Sequence, residues 1–325
     1  MVHLRIVVPA DRSQQVVELL EAAASTANLV LLEGAARQPP GDVVLCDVAR
    51  EDASVVIDDL KELGVHRDGS IALEQIDSQI SDVARRAERA ARGAPSDAVV
   101  WEEVEARTSE SIELSGTFLA FMALACLIAS VGIFTGSPIL IVGAMVVGPE
   151  FGPLAGLCVA AVERRLGVGL RSLTALAVGF PVGITAAFLF TLICVATGLV
   201  DAEFKSIDNP LTRFIAEPET FSFIVAAFAG AAGVLSLTSA KSGALIGVLV
   251  SVTTIPAAAN IGVAAALGNW DDWRGAMAQL ALNLTAIVIA GVGTLYFERR
   301  LFTRRRREHR REAARRDEDR GASSP

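Results

Sequence analysis

The sequence predicts a multi-pass α-helical membrane protein of about six spans with a small N-terminal α+β domain. Three observations carry that prediction. Hydrophobic residues make up 52% of the 325 residues, and the mean hydropathy of +0.47 is high for a soluble chain. The apolar residues are also segregated: residues 1–113 read as ordinary soluble sequence, 114–298 are mostly apolar, and 299–325 are dominated by Arg. Finally, the apolar part divides into runs of 20 or more residues, the length that crosses a bilayer. The net charge of −8 averages an acidic N-terminal part with a basic tail and describes neither.

Residues 1–77 alternate short β-rich runs with helical stripes. His3–Val8 reads as a strand, and Ser13 is placed to cap a helix Gln14–Ala24 with its stripe at Val16, Val17, Leu20 and Ala24. Asn28–Glu33 and Asp42–Val48 read as strands split by a Gly34–Gly41 loop containing Pro39-Pro40. Asp52 or Ser54 can cap a second helix that Gly64 closes, and Ser70–Ile76 is the last strand. The order βαββαβ is that of a ferredoxin-like split βαβ unit. Residues 78–113 form two charged helical segments, Ser78–Arg92 and Asp97–Glu113, around Gly93-Ala94-Pro95. They read as a stalk, with Trp101 either near the bilayer surface or packed on the soluble domain. Met1–Pro9 leads directly into Asp11-Arg12-Ser13, which is not a cleavable signal peptide. The first span is then its own insertion signal.

Spans are predicted near 115–135, 138–162, 171–199, 220–240, 243–268 and 275–297. The third is long enough to tilt or to kink at Gly179-Phe180-Pro181, and the second and fifth are interrupted by Pro and Gly. Arg164, Arg165 and Arg171 lie between spans two and three, and Arg299, Arg300 and Arg304–Arg307 follow span six. The loop Val200–Thr220 is acidic, and Asp271 and Asp272 sit between Trp270 and Trp273 before span six. The positive-inside rule and an even span count both put the two termini in the cytoplasm of a cell (inner or plasma) membrane. The Arg-rich tail (299–325) reads as a topology determinant on anionic headgroups. It lacks interleaved aromatics, so nucleic acid is not expected as a partner.

The two halves of the membrane region correspond at an offset of roughly 103–104 residues. Thr117-Phe118 aligns with Thr220-Phe221, Leu140–Gly143 with Ala244–Gly247, Pro153 with Pro256, and Arg171 with Arg274. Three spans per half is odd, so the halves cross in opposite senses: a 3+3 inverted repeat with broken second and fifth helices. That arrangement is characteristic of secondary transporters and related channels.

The motif best placed for function is Gly148-Pro149-Glu150-Phe151-Gly152-Pro153, about twelve residues into span two and near the bilayer midplane. Pro149 and Pro153 each remove a backbone donor and crowd the preceding turn, so the helix is expected to break or bend. Broken backbone at membrane depth is tolerated only inside protein or along a wet cavity. A charged Glu150 in lipid costs at least about 2.5 kcal/mol, so it must face the bundle interior or be protonated. The matching break, Thr253-Thr254-Ile255-Pro256 followed by Asn260, offers hydroxyls and an amide to the same site. Asn283 and Lys241 are weaker candidates. The structural alternative is a kinked packing motif whose Glu150 bonds a neighbouring helix. Gly152/Gly156, Gly179/Gly183 and Gly243/Gly247 have the spacing of close helix contacts, within the chain or in an oligomer.

No chemistry-bearing constellation appears elsewhere. His3, His66 and His309 are far apart, and Cys46, Cys126, Cys158 and Cys194 lack ligand spacing and read as small buried hydrophobes. No metal site, cofactor or catalytic residue is expected. No zinc-protease, nucleophile-elbow or P-loop motif is present, which points away from an enzyme.

Trp101-Glu102-Glu103-Val104-Glu105, the segment Ser137–Met145, and Gly148-Pro149 to Gly152-Pro153 together resemble the domain-of-unknown-function 389 family. These are bacterial and archaeal membrane proteins, also called the uncharacterised hydrophobic domain family. The resemblance covers roughly residues 1–300 and implies a soluble N-terminal domain and a multi-span region, but no substrate. Many members look apolar where this chain has Glu150, which makes the Pro149/Pro153 break the shared device.

The expected function is transport or conduction of an ion or small solute between the two halves, past Glu150 and Pro256. The soluble domain would regulate or assemble the protein, through a small-molecule effector or through homo-oligomers. The alternatives are a membrane-anchored sensor or scaffold, and an intramembrane lipid enzyme with Glu150 as base. A dry interior favours the anchor, and a lipid-accessible cleft beside Glu150 would be needed for the enzyme.

Overall fold

A computed structural model describes residues 1–76, 78–91, 98–204, 220–238 and 254–322. The chain divides into two compact units. One comprises Met1–Val104 with Thr238–Ala240 and Arg299–Pro325, the other Glu105–Leu237 and Lys241–Glu298.

The first unit is built on β1 (Val2–Val8), α1 (Ser13–Ala22), β2 (Thr26–Arg37), β3 (Pro40–Val48), α2 (Arg50–Glu62), a one-turn α3 (Val65–Asp68) and β4 (Ser70–Gln75). The strands form a small sheet in the order β2-β3-β1-β4, every neighbouring pair antiparallel. The two-residue period of β1 turns Val2, Leu4, Ile6 and Val8 to one face. There they meet Val16 and Leu20 of α1 and Val56, Ile57 and Leu60 of α2 in one buried core. Burying each such side chain contributes about 1.5–3 kcal/mol.

Local details depart from the sequence reading in three places. The Gly34–Gly41 loop is instead the tip of a long β2–β3 hairpin, with pairs as far as Arg37 and Pro40. Left-handed Gly34 (φ 61) donates its amide to the Asp42 carboxylate at 2.7 Å, which accommodates the irregular register there. Neither predicted cap is used. Ser13 lies inside α1 and donates to Ala10 O at 3.0 Å, while α2 starts at Arg50, ahead of both Asp52 and Ser54. Gly64 does close α2, in the left-handed conformation at φ 76.

The sequence-predicted stalk is not a free rod at its start. α4 (Asp82–Ala90) packs on β2 and β3, beside Asp47, which accepts from His3, Asn28 and Gln79 at 2.6–2.7 Å. The first residues of α5 (Trp101–Ser111) are fixed on α2. The Trp101 amide donates to Ser54 Oγ, Lys61 and Ser54 donate to Glu102, and Arg50 donates to Glu103. Trp101 is buried, and the Arg299 guanidinium lies 4.7 Å from its ring centre.

The second unit is helical: α6 (Gly116–Thr135), α7 (Pro138–Val147), α8 (Phe151–Glu163), α9 (Leu166–Ala196), α10 (Thr220–Thr238), α11 (Thr254–Ala266) and α12 (Trp270–Ala322), the last as far as Glu298. Four of these are long and apolar enough to cross a membrane, and the bent pair α7–α8 makes a fifth. Only 33–44% of their most apolar windows is buried within the protein. Such outward apolar area suits lipid rather than water.

This count differs from six. α11 has 13 residues, about 20 Å of helix against an apolar core of about 30 Å, and most of the remainder of the predicted fifth span lies outside the described residues. α9 runs unbroken through Pro181, and α12 continues past the sixth span to Ala322. α9 packs on α6, α8 and α11, and α6 also packs on α7 and α11.

Candidate functional site at the helix breaks

Each step of the α7–α8 break has a local cause. Ser137 caps α7, with Pro138 in the first turn. Eleven residues on from Pro138, Pro149 disfavours helical geometry in the residue before it, and Gly148 is extended, at φ −64 and ψ 129. The helix resumes at Phe151 with its axis turned by 52°. Pro153, expected to contribute to the break, does not. It is the third residue of α8, where the amide it lacks would have no intrahelical partner in any case.

α11 repeats this arrangement. It also has 13 residues with a proline, Pro256, in third position. The start of α11 meets the α7–α8 break in space. Thr254 Oγ1 donates to Glu150 Oε1 at 2.7 Å, a buried contact between residues 104 apart. A β-carbon on Gly148 would touch Glu150 Oε2 and come 2.6 Å from Ile255 Cγ1, so glycine permits the approach of α11. Glu150 is 2% exposed and Thr254 and Asn260 are fully buried. Among the described residues, Glu150 Oε2 has no hydrogen-bond partner.

The remaining sequence candidates take different positions. Pro149 forms the break, and Gly152 packs α8 on Ser111, its absent β-carbon 2.8 Å from Ser111 Cβ. Gly156 packs against Ile112 and Ser172, and Gly179 and Gly183 pack against Phe118, Met122 and Cys126 of α6. Asn260 lies six residues beyond Thr254, about 9 Å along α11. Thr253, Lys241, Gly243 and Gly247 lie outside the described residues. Gln279 escaped the sequence reading: fully buried on α12, it donates to Asn283 at 3.3 Å. Its signal was a Gln and an Asn four residues apart in an apolar run.

Contacts elsewhere in the unit recur at the same spacing. A β-carbon on Gly183 of α9 would lie 2.6 Å from Cys126 Sγ of α6, and one on Gly230 of α10 would lie 2.5 Å from Ile287 O of α12. Each residue of the second pair stands 104 positions after its counterpart in the first. Likewise, Cys158 of α8 meets Gly291 of α12, while Gly262 of α11 meets Ala187 of α9. Cys158 and Gly262 are 104 apart, as are Ala187 and Gly291.

Fold and site therefore define a helical protein with four to five apolar helices able to span a membrane, a small antiparallel sheet, and a helix break whose buried carboxyl is bonded by the first residue of another helix. Residues 145–289, which contain Glu150 and Thr254, match the family described as Domain of unknown function (DUF389). The chain resembles that family over this stretch, and Trp101–Glu105 falls outside it. An uncharacterized protein of Methanocaldococcus jannaschii is similar at 25% identity over 198 residues, which cover 59% of this chain and 58% of that protein. The chain thus spans less than two thirds of that relative's length. No solved structure matches the chain.

Proposed function

We propose that the protein is a transporter or channel for an ion or small solute, with its pathway at the broken helices around Glu150 and Pro256. The observation that carries this reading is the Glu150–Thr254 hydrogen bond, which joins the α7–α8 break to the start of α11 inside the helical unit. A rigid anchor has no use for an ionisable group there, because burying a carboxyl costs free energy that an apolar side chain would not. A transport site needs a polar group where the backbone is interrupted.

Contacts recurring at 104 residues support two halves related by a pseudo-two-fold, a 3+3 inverted repeat in a six-span protein. Glu150 and Thr254 are then the residues at which the halves touch themselves. The strand order and antiparallel pairing support a ferredoxin-like fold for the N-terminal domain, which would regulate or assemble a homo-oligomer from the cytoplasm. The arginines at 164, 165, 171, 299, 300 and 304–307 support cytoplasmic termini and a cell-membrane location.

The test is flux of a panel of small ions into liposomes holding the full-length protein, read with ion and pH reporters. A flux that Glu150→Gln abolishes or makes insensitive to pH is the expected result. No flux of any ion through folded, inserted protein would count against an ion pathway. It would favour the second reading, a membrane-anchored sensor or scaffold. The observation on that side is the packing of α11, whose residues 254–264 are all buried.

A further inference from the structure

We infer that the membrane unit binds a phospholipid with an ammonium-bearing headgroup between the end of α5, the residues that follow it and the first turns of α9, away from the α7–α8 break. A cleft of about 560 Å³ there is lined by Ser109, Glu113, Leu114, Leu170, Arg171 and Thr174, among others. Its volume falls within the ~300–1,000 Å³ of small-molecule sites. Glu113 and Arg171 are exposed and form no ion pair with each other or with any other described residue. The cleft thus offers one carboxylate and one guanidinium, neither with an ionic partner.

A ligand satisfying both carries a phosphate and a primary ammonium close together. The Arg171 fork matches two phosphate oxygens, and Glu113 accepts from the ammonium. A choline headgroup has no N–H to donate. A headgroup with phosphate alone leaves Glu113 facing like charge.

The surroundings argue for a lipid rather than a free phosphoamine. The cleft adjoins the start of α6 at Gly116 and the first turns of α9, which begins at Leu166. Both helices are candidate spans, so the charged lining falls at a membrane boundary. Leu114 and Leu170 are 41% and 65% exposed, large for leucines beside a polar cleft. A second groove of about 370 Å³ begins two residues past Leu114 and follows one face of α6 through Gly116, Thr117, Ala120, Phe121 and Leu124. Eight residues of helix extend about 12 Å, within the ~15 Å that is half of a ~30 Å apolar core. A charged cleft followed by an apolar groove of that length has the polarity profile of headgroup and acyl chain.

The test is native mass spectrometry of the full-length protein released from micelles holding equal phosphatidylethanolamine, phosphatidylcholine and phosphatidylglycerol. The wild type is expected to retain phosphatidylethanolamine about tenfold over phosphatidylcholine, the scale of one charge-assisted hydrogen bond. Glu113→Gln is expected to bring the two to parity. Arg171→Lys, which keeps the charge and loses the fork, is expected to lower retention of both. Equal retention of the two lipids by the wild type overturns the assignment, as does a preference for phosphatidylglycerol. Unchanged selectivity in Glu113→Gln also overturns it. Glu113 is exposed, so that variant decides the matter even where Arg171→Lys fails to insert.

Discussion

Replacing Thr254 with Val removes one hydroxyl from the centre of the helical unit and leaves the side chain's shape nearly unchanged. The hydroxyl is buried and donates to Glu150 Oε1 at 2.7 Å, while Oε2 already lacks a partner among the described residues. Two magnitudes compete. A hydrogen bond between helices in a membrane averages about 0.6 kcal/mol, whereas one to a charged group contributes about 1.5–3 kcal/mol. The contact is short and fully buried, and its loss leaves the whole carboxyl unsatisfied, so the larger value is expected. A double-mutant cycle of Thr254→Val with Glu150→Leu, from reversible unfolding in detergent or bicelles, isolates the pair. We expect a coupling of about 2 kcal/mol. A coupling near zero, with both single variants folded, would refute the claim that this contact joins α11 to the α7–α8 break.

Four further outcomes follow from other contacts. Gly262→Ala should destabilise by about 1–3 kcal/mol, because the new carbon would lie 2.5 Å from Ile184 O and 2.9 Å from Phe188 N, both backbone atoms. Gly143→Ala, with nothing within 4 Å, should leave the melting temperature nearly unchanged in the same assay. Burial, with Asp47 adding to it, pushes the Cys46 thiol up to about 12. Cys46 should therefore resist iodoacetamide at pH 8 in the folded protein and react once unfolded, as read by peptide mapping. Burial alone would raise the Asp47 carboxyl, but hydrogen bonds from Asn28, His3 and Gln79 hold it below its ordinary value. A depressed carboxylate contributes stability above its unfolded value of about 3.9 that is lost as pH falls through the lower folded value. The stability gap between wild type and Asp47→Asn should therefore shrink on acidification below pH 4, and a gap that stays constant would contradict this.

Much of the architecture was legible because it depends on local chemistry. The run Ser137-Pro138 to Gly148-Pro149 states its own start and stop, and the Val2–Val8 alternation states which face is buried. Misreadings arose where a neighbour overrode local preference. Ser54 has the chemistry of a cap, but its hydroxyl is engaged by the Trp101 amide and Glu102, 47 and 48 residues away. Pro153 looks like a breaker until the helix start two residues before it is known. Both breaks could be named from sequence, but not their meeting, because nothing local to Glu150 or Thr254 reports on a residue 104 positions distant. The charges of Glu102 and Glu103 read as a solvated stalk for the same reason, since their partners Arg50 and Lys61 lie on another helix.

The recurring contacts have a consequence for the ancestry of the chain. Where α8 meets α12, sulfur sits on the first half and glycine on the second, Cys158 against Gly291. At the counterpart the glycine has changed sides, with Gly262 of the second half against Ala187 of the first. Two copies of the first half alone would set a thiol against a methyl with no glycine to receive either, and would bring two carboxylates together at position 150. Two copies of the second half would leave opposed glycines and a void. On the proposed inverted repeat, neither half could therefore be paired with a second copy of itself, and substitutions at these positions should be tolerated only in compensating pairs.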